Sequence, residues 1–394
     1  MGIHTFEDVV GDVPAFFSEY FNKKPLLRQG ALVGRLQDIL SVRQLDDIVT
    51  METVLPSYLR IAKDGKGVSP KAYTRTVTPQ GAALAETVIP EKVYELFRSG
   101  GTITWNSLQH FLPSVRGLLD VLTDTFSARS EAVAFLTPAL KNGYAPHHDP
   151  VDVFIFQVEG TKSWKLWDAP AVRRGDEATY SMEELGDPSI EITLHPGDVL
   201  YIPHNTPHAA AAQEEISLHL SVIVEPRRWR DLVRETVVEA LADDDFHDFP
   251  YLGDESAVAL DLAAKLRTLQ DRLHHIDPVS EIKRLTVSGR GSTSRPREFE
   301  RLSAVDVFGT GTRIRRSTVP LDIGESDGGR TVLRTGGHRL AVPDAVAAVL
   351  RDLEAGGSVT AAGFFPGVPE DRSLRAAQGL ARLGVLEAAE ETRS

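Results

Sequence analysis

The 394-residue chain predicts an α+β protein, with an antiparallel barrel of the double-stranded β-helix type inside residues 1–225 and helices with a smaller mixed domain after it. Two observations carry this. Between residues 131 and 224 the apolar residues fall into short β-branched or aromatic runs, cut by Gly, Pro and Asp turns, a series that argues for a barrel. Beyond residue 225 the apolar period becomes helical. The expected domains are therefore a barrel region with N-terminal helical elements at 1–225, a helical region at 226–290 and a C-terminal domain of winged-helix outline at 291–394.

In chain order, residues 12–22 read as a short amphipathic helix that stops before Lys23-Lys24-Pro25, because the residue before a proline avoids helix. Residues 107–127 carry Leu108, Phe111, Val115, Leu118, Leu119 and Leu122 at helical spacing. Strands are expected at 131–137, 151–158, 163–167, 190–194, 199–202 and 217–224. Trp229, Leu232, Val233, Val237 and Leu241 then form one helical stripe, and Val258, Leu262, Leu266, Leu269 and Leu273 another. The Gly- and Ser-rich stretch 289–297 reads as a linker. A helix is expected from Pro343 to Glu354, another from Leu374 to Leu383 ended by Gly384, and a wing strand at Val385-Leu386-Glu387. Few basic residues mark the second of these helices, Arg372, Arg375 and Arg382, so a packing or protein-contact role is favoured there over DNA binding.

The chemistry sits in two motifs. In Pro146-His147-His148-Asp149, His147 and Asp149 stand two residues apart, so a strand sends both to one face and His148 to the other. His208 follows the strand-like run Val199–Ile202 and would close a set of two histidines and one carboxylate, which leaves positions open on iron(II) for co-substrate and oxygen. Asn205 stands in the turn before it, and Asn tolerates a left-handed conformation. His204, in that turn, and His148, on the wrong face, are not expected to bind metal.

Composition narrows the rest. With no cysteine, disulfides and thiolate ligands are excluded, and any metal site falls to His and carboxylate. A net charge of −13 argues against nucleic acid and favours a basic partner. No apolar run is long enough to cross a bilayer, and the first residues lack a signal-peptide pattern, so a cytoplasmic protein is expected.

These residues, with Phe16–Leu27, Gly101–Asn106, Leu136-Thr137-Pro138, Asp152–Gln157, Gly160–Lys165 and Pro196–Pro203, resemble the JmjC and cupin-type ribosomal oxygenases. The likeness spans most of residues 5–225. It implies an iron(II)- and 2-oxoglutarate-dependent dioxygenase that hydroxylates a side chain, arginine or histidine, of a ribosomal protein. It also implies a helical homodimerisation region and a C-terminal winged-helix domain. His147, Asp149 and His208 would hold iron. Lys162 would pair with the distal carboxylate of 2-oxoglutarate, since a dianion chelating metal at one end needs a fixed cation at the other; Lys165, an odd number of residues along, should face away. Asn106, Thr137, Ser217, His219 and Ser221 are candidates for the co-substrate pocket, and Tyr144 for the substrate entrance. Two other functions stay open: hydroxylation of a ribosomally made precursor peptide or other secondary metabolite, and a non-catalytic binding role.

Overall fold

The computed structural model describes residues 3–51, 53–78, 86–170, 176–225, 227–242, 244–289, 298–317, 319–335, 338–354 and 356–389. They form two compact units that divide between Pro226 and Arg227.

The first unit is built on two antiparallel sheets. The larger runs, in spatial order, Leu26–Arg28, Val199–Ile202, Asp152–Glu159, Ser217–Val224, Ser130–Thr137, Thr102–Trp105, Leu59–Lys63 and Lys66–Gly67. The smaller runs Ala178–Thr179, His147–His148, His208–Ala212, Lys162–Leu166 and Ile190–Leu194. The alternation of side chains explains why the long central strands are buried on both faces and mostly apolar. On Asp152–Glu159, Val153 and Ile155 pack with Leu200 and Ile202 against Trp164, Leu166 and Leu194 of the smaller sheet, filling the space between the sheets. Phe154 and Phe156 point the other way, into a second core with the N-terminal helices. There Phe6, Phe16, Phe126, Phe154 and Tyr201 meet ring to ring, with Phe16 and Tyr201 4.9 Å apart. Burying both faces fixes the register of the central strands, because a slip of one residue would exchange the two cores.

The expected helix at 12–22 forms as Val13–Ala15 with a π-helical turn, Phe16–Tyr20. The helix expected over 107–127 starts later, at Pro113, which lacks the N–H that an interior position needs; Leu108–His110 is a separate short turn. Several strands were not predicted, three of them beside the site. Leu59–Lys63 and Thr102–Trp105 are too short to show a period, and His208–Ala212 is mostly alanine, a residue with little strand preference.

The second unit begins with the helices Trp229–Ala240, Glu255–His274 and Pro278–Gly289. The last was not predicted, although Asp277 and Pro278 announce it: the Asp277 carboxylate accepts from the Ser280 N–H at 2.8 Å. That helix packs against the strands Asp322–Asp327 and Arg330–Thr335, so the helical stretch and the C-terminal region share one compact unit. The linker expected at 289–297 lies, but for Gly289, outside the described residues. Pro343 ends the strand His338–Pro343, and the helix starts one residue later, Asp344–Glu354. Helix Glu370–Arg382 and strand Leu386–Ala388 follow, the strand pairing with Arg313–Arg316 beside Ser358–Thr360. No helix among the described residues is long and apolar enough to cross a membrane.

One turn ties the barrel to its N-terminal segment. Gly197 has φ +97°, the Leu32 N–H donates to its carbonyl, and the Asp198 carboxylate accepts from the N–H groups of Gly30 and His195. A Cβ on Gly197 would lie 2.6 Å from the Val33 nitrogen, with backbone on the far side and nothing able to give way. Gly197→Ala is expected to destabilise the first unit by about 2 kcal/mol or more, read as a lower urea midpoint; an unchanged midpoint would show that this turn relaxes freely.

Candidate metal centre

The pairing of the smaller sheet brings the predicted ligands together. His147 stands directly opposite His208 in the ladder, and Asp149 lies two residues along from His147. Their rings are 4.5 Å apart, the Asp149 Oδ2 is 4.0 Å from the His147 Nε2 and 3.7 Å from the His208 Nε2, and one ligand atom from each residue falls within 4.8 Å of the others. Each histidine is oriented by its own backbone: Nδ1 of His147 meets the Ala145 carbonyl at 2.8 Å, and Nδ1 of His208 meets the Thr206 carbonyl at 3.0 Å. A carbonyl can only accept, so both Nδ1 atoms carry the proton and both Nε2 lone pairs face Asp149. Burial, then the neighbouring His147, lowers the His208 pKa to about 4, which keeps its imidazole neutral at physiological pH. Two imidazole nitrogens and one carboxylate suit a first-row dication with open positions.

The turn at 203–206 is held from below. The buried Asp152 carboxylate accepts from the His204 N–H at 2.8 Å and meets its ring at 3.1 Å. Asn205 takes φ +57°, its N–H donates to the Asp149 carbonyl at 2.7 Å, and its side-chain amide donates to the Asp176 carbonyl. His204 thus positions the turn without facing the ligand set. His148 points away as expected, with Nδ1 2.7 Å from the Tyr180 hydroxyl.

Lys162 is buried between two strands of the smaller sheet. Its ammonium donates to the Thr137 hydroxyl at 3.1 Å and lies 3.4 Å from Nδ1 of His219, and among the described residues no carboxylate comes within ion-pair distance of it. Burial alone lowers its pKa to about 7. The hairpin that delivers Lys162 is pinned by Gln157, whose amide donates to the carbonyls of Glu159 and Gly160 and to the Ser217 hydroxyl. Lys165 faces outward and pairs with Glu191 at 3.4 Å.

A cavity of about 230 Å³ contains the ligand set and Lys162, together with Asn106, His219 and Ser221 from the predicted pocket, and Tyr144. Ser217 and Thr137 are not in its wall: Ser217 serves Gln157, and Thr137 holds Lys162 from behind. Val133, Phe135, Val153, Ile155, Trp164 and Ile223 make the wall apolar. His219 stacks on Phe135 with ring centroids 4.8 Å apart, and burial followed by the Lys162 charge holds its pKa well below the ordinary value. Sequence reasoning missed Asp152 and Gln157, polar residues inside apolar strands, and that placement was the available signal.

Residues 106–232 match the JmjC domain family. The chain carries a JmjC domain. JmjC domains form a family of 2-oxoglutarate-dependent dioxygenases that use iron(II), and the donor set of His147, Asp149 and His208 suits that metal. The bifunctional lysine-specific demethylase and histidyl-hydroxylase NO66 of Drosophila simulans is 32% identical over 220 residues, 54% of this chain and 25% of that protein. Ribosomal oxygenase 1 of Homo sapiens is 28% identical over 308 residues, 70% of this chain and 46% of that protein. The chain spans less than half the length of these relatives. Among solved structures, the Escherichia coli ribosomal oxygenase YcfD superposes with a TM-score of 0.55 at 17% identity, over 97% of this chain and 99% of that one. The same protein in complex with cobalt and 2-oxoglutarate gives 0.53 at 17% identity, over 96% and 98%. At that identity the likeness shows a shared fold around the JmjC domain.

Burying Lys162 without a carboxylate has a measurable cost. Above about pH 10.5 the amine is neutral in both folded and unfolded chains. Between 10.5 and 7 the unfolded chain takes a proton that the folded chain resists, so stability falls as pH falls, and below 7 the penalty is constant. Relative to Lys162→Met, the unliganded wild type should lose on the order of 1 kcal/mol per pH unit across that window. Urea unfolding at pH 9 and pH 7 measures it; parallel pH profiles for the two proteins would mean that the amine is not desolvated.

Proposed function

We propose that this chain is an iron(II)- and 2-oxoglutarate-dependent oxygenase that hydroxylates a side chain of a basic polypeptide, a ribosomal protein in the first instance. The observation that carries the reading is the pairing, in one cavity, of an open His-Asp-His set with a buried lysine that lacks a carboxylate partner. Either feature alone has structural uses; together they fit a ligand that chelates metal at one end and carries a carboxylate at the other. The names of the relatives support the choice of a protein substrate.

In this reading His147, Asp149 and His208 hold iron, and Lys162 binds the distal carboxylate with a charge-assisted hydrogen bond while Thr137 and His219 fix its direction. When bound, iron and 2-oxoglutarate supply oxidation of an unactivated C–H bond coupled to loss of carbon dioxide. The protein's share is positioning and exclusion of water: the apolar wall keeps solvent from the reacting atoms, and Tyr144, hydrogen-bonded to Thr104 at 2.9 Å, borders the way in. A groove beside the cavity shares Tyr144, His147 and Asp149 with it and adds Glu177. That carboxylate and the net charge of −13 suit a substrate with basic residues around the target.

The helices of the second unit support a homodimer. Trp229 is 76% exposed and Leu260 74%, with Val233, Val238, Leu262 and Leu266 also open and Phe249 of the connecting segment 98% exposed, more apolar surface than a lone helical face leaves in water. In the winged-helix-like part, Arg375 is paired with Asp371 and Arg382 with Asp306, which favours protein contact over DNA.

Purified protein incubated with iron(II), 2-oxoglutarate, ascorbate, air and total ribosomal proteins should add one oxygen atom to a single protein, with matching succinate by mass spectrometry. His147→Ala, Asp149→Ala and His208→Ala should each lower this below about one hundredth of wild type while circular dichroism stays unchanged. Lys162→Ala should raise the KM for 2-oxoglutarate more than tenfold. Turnover that survives in the Asp149 variant would sink the assignment. Light scattering should report twice the chain mass at micromolar concentration, and a monomer there would remove the dimer.

A further inference from the structure

The cavity is charged at both ends, and only one end is accounted for. On the inner face of the larger sheet, cross-strand neighbours form a row: Arg60 opposite Thr104, Thr104 opposite Phe135, Phe135 opposite His219. Adjacent strands stand about 4.8 Å apart, so the row spans roughly 14 Å. His219, at one end, touches Lys162. Arg60, at the other, is exposed and lines the cavity, while its neighbours Leu59 and Ile61 are buried in the core on the opposite face of the strand. Among the described residues no carboxylate lies within ion-pair distance of Arg60. Among the described residues the only acidic one in the cavity wall is Asp149, which belongs to the proposed metal-ligand set.

We propose that Arg60 is a specificity-determining residue: it bars positively charged side chains from the cavity and selects a target that ends in a hydrogen-bond acceptor and carries no positive charge. This rests on reading the barrel as a side-chain hydroxylase. A guanidinium entering past Arg60 would give up its water, meet a like charge, approach a metal dication and find no free carboxylate. A neutral acceptor would meet the five donors of Arg60 instead. Of the two target residues that the family resemblance implies, arginine is the one this cavity refuses. Flanking residues obey the opposite rule, since the adjoining groove carries Glu177. The substrate is therefore a basic segment that presents an uncharged side chain.

Two capped tripeptides isolate the charge: acetyl-Gly-arginine-Gly-amide and its citrulline counterpart, which has the same shape and an acceptor oxygen but no charge. Each is added under argon to the full chain loaded with Mn(II) and 2-oxoglutarate, and paramagnetic broadening of its side-chain proton signals is measured. In the wild type the citrulline peptide should be broadened at least tenfold more than the arginine peptide. The ratio should fall towards one in Arg60→Gln and invert in Arg60→Glu. Equal broadening in the wild type, a ranking unaltered in both variants, or no broadening of either peptide would overturn the assignment. Water-proton relaxation separates the two levels of the argument: a chain that leaves free Mn(II) unaffected sinks the metal site and Arg60 together, whereas Mn(II) held with the arginine peptide preferred sinks Arg60 alone.

Discussion

Everything in the first unit depends on the register that sets His147 opposite His208 in the smaller sheet. Strand pairing is a coarse device: a slip of one residue between the two strands would put the two imidazoles on opposite faces. The register is secured far from the histidines, by apolar side chains on both faces of the neighbouring strands and by the Asp152 carboxylate under the turn at 203–206. Within that frame each ring needs one contact to fix its rotation and tautomer, and a backbone carbonyl two residues earlier supplies it in both cases. The short range of these contacts makes them insensitive to motion elsewhere in the barrel.

The cavity is arranged along a charge axis. Lys162, against His219, and Arg60 mark opposite ends of the cross-strand row on one wall, and the His-Asp-His set and apolar side chains complete the lining. Low polarity in the walls strengthens the buried Lys162 charge by removing the water that would screen it, while Arg60 stays exposed. In the proposed reading, such a layout sorts ligands by where their own charges lie.

The ligand set was legible in the sequence because a strand converts a spacing of two into a shared face, and His147, Asp149 and His208 need little else to be found. Lys162 was legible only through family resemblance: from residues alone it looks like any hairpin lysine, and its burial comes from strands on either side that contact it from far along the chain. Arg60 was invisible for a related reason. Its strand has five residues, too few to show a period, and its place in the cavity depends on pairing with Thr102–Trp105, a strand that was itself not predicted. Ser217 shows the reverse error. It shares a face with His219 and Ser221, and its strand pairs without a break against Ser130–Thr137, but Gln157 claims its hydroxyl and it lies outside the cavity wall. A shared face places a side chain on the right side of a sheet without fixing how far along the strand the cavity reaches.

The Lys162 amine, which has no carboxylate within ion-pair distance among the described residues, also links ligand binding to the proton. Near neutral pH a share of the molecules holds it uncharged, since burial brings its pKa to about 7. A carboxylate that docks against it restores the charge, and the complex therefore takes up a proton from solution as it forms. In the proposed pairing with a dicarboxylate, affinity then declines as pH rises above that point, approaching tenfold per unit in the limit.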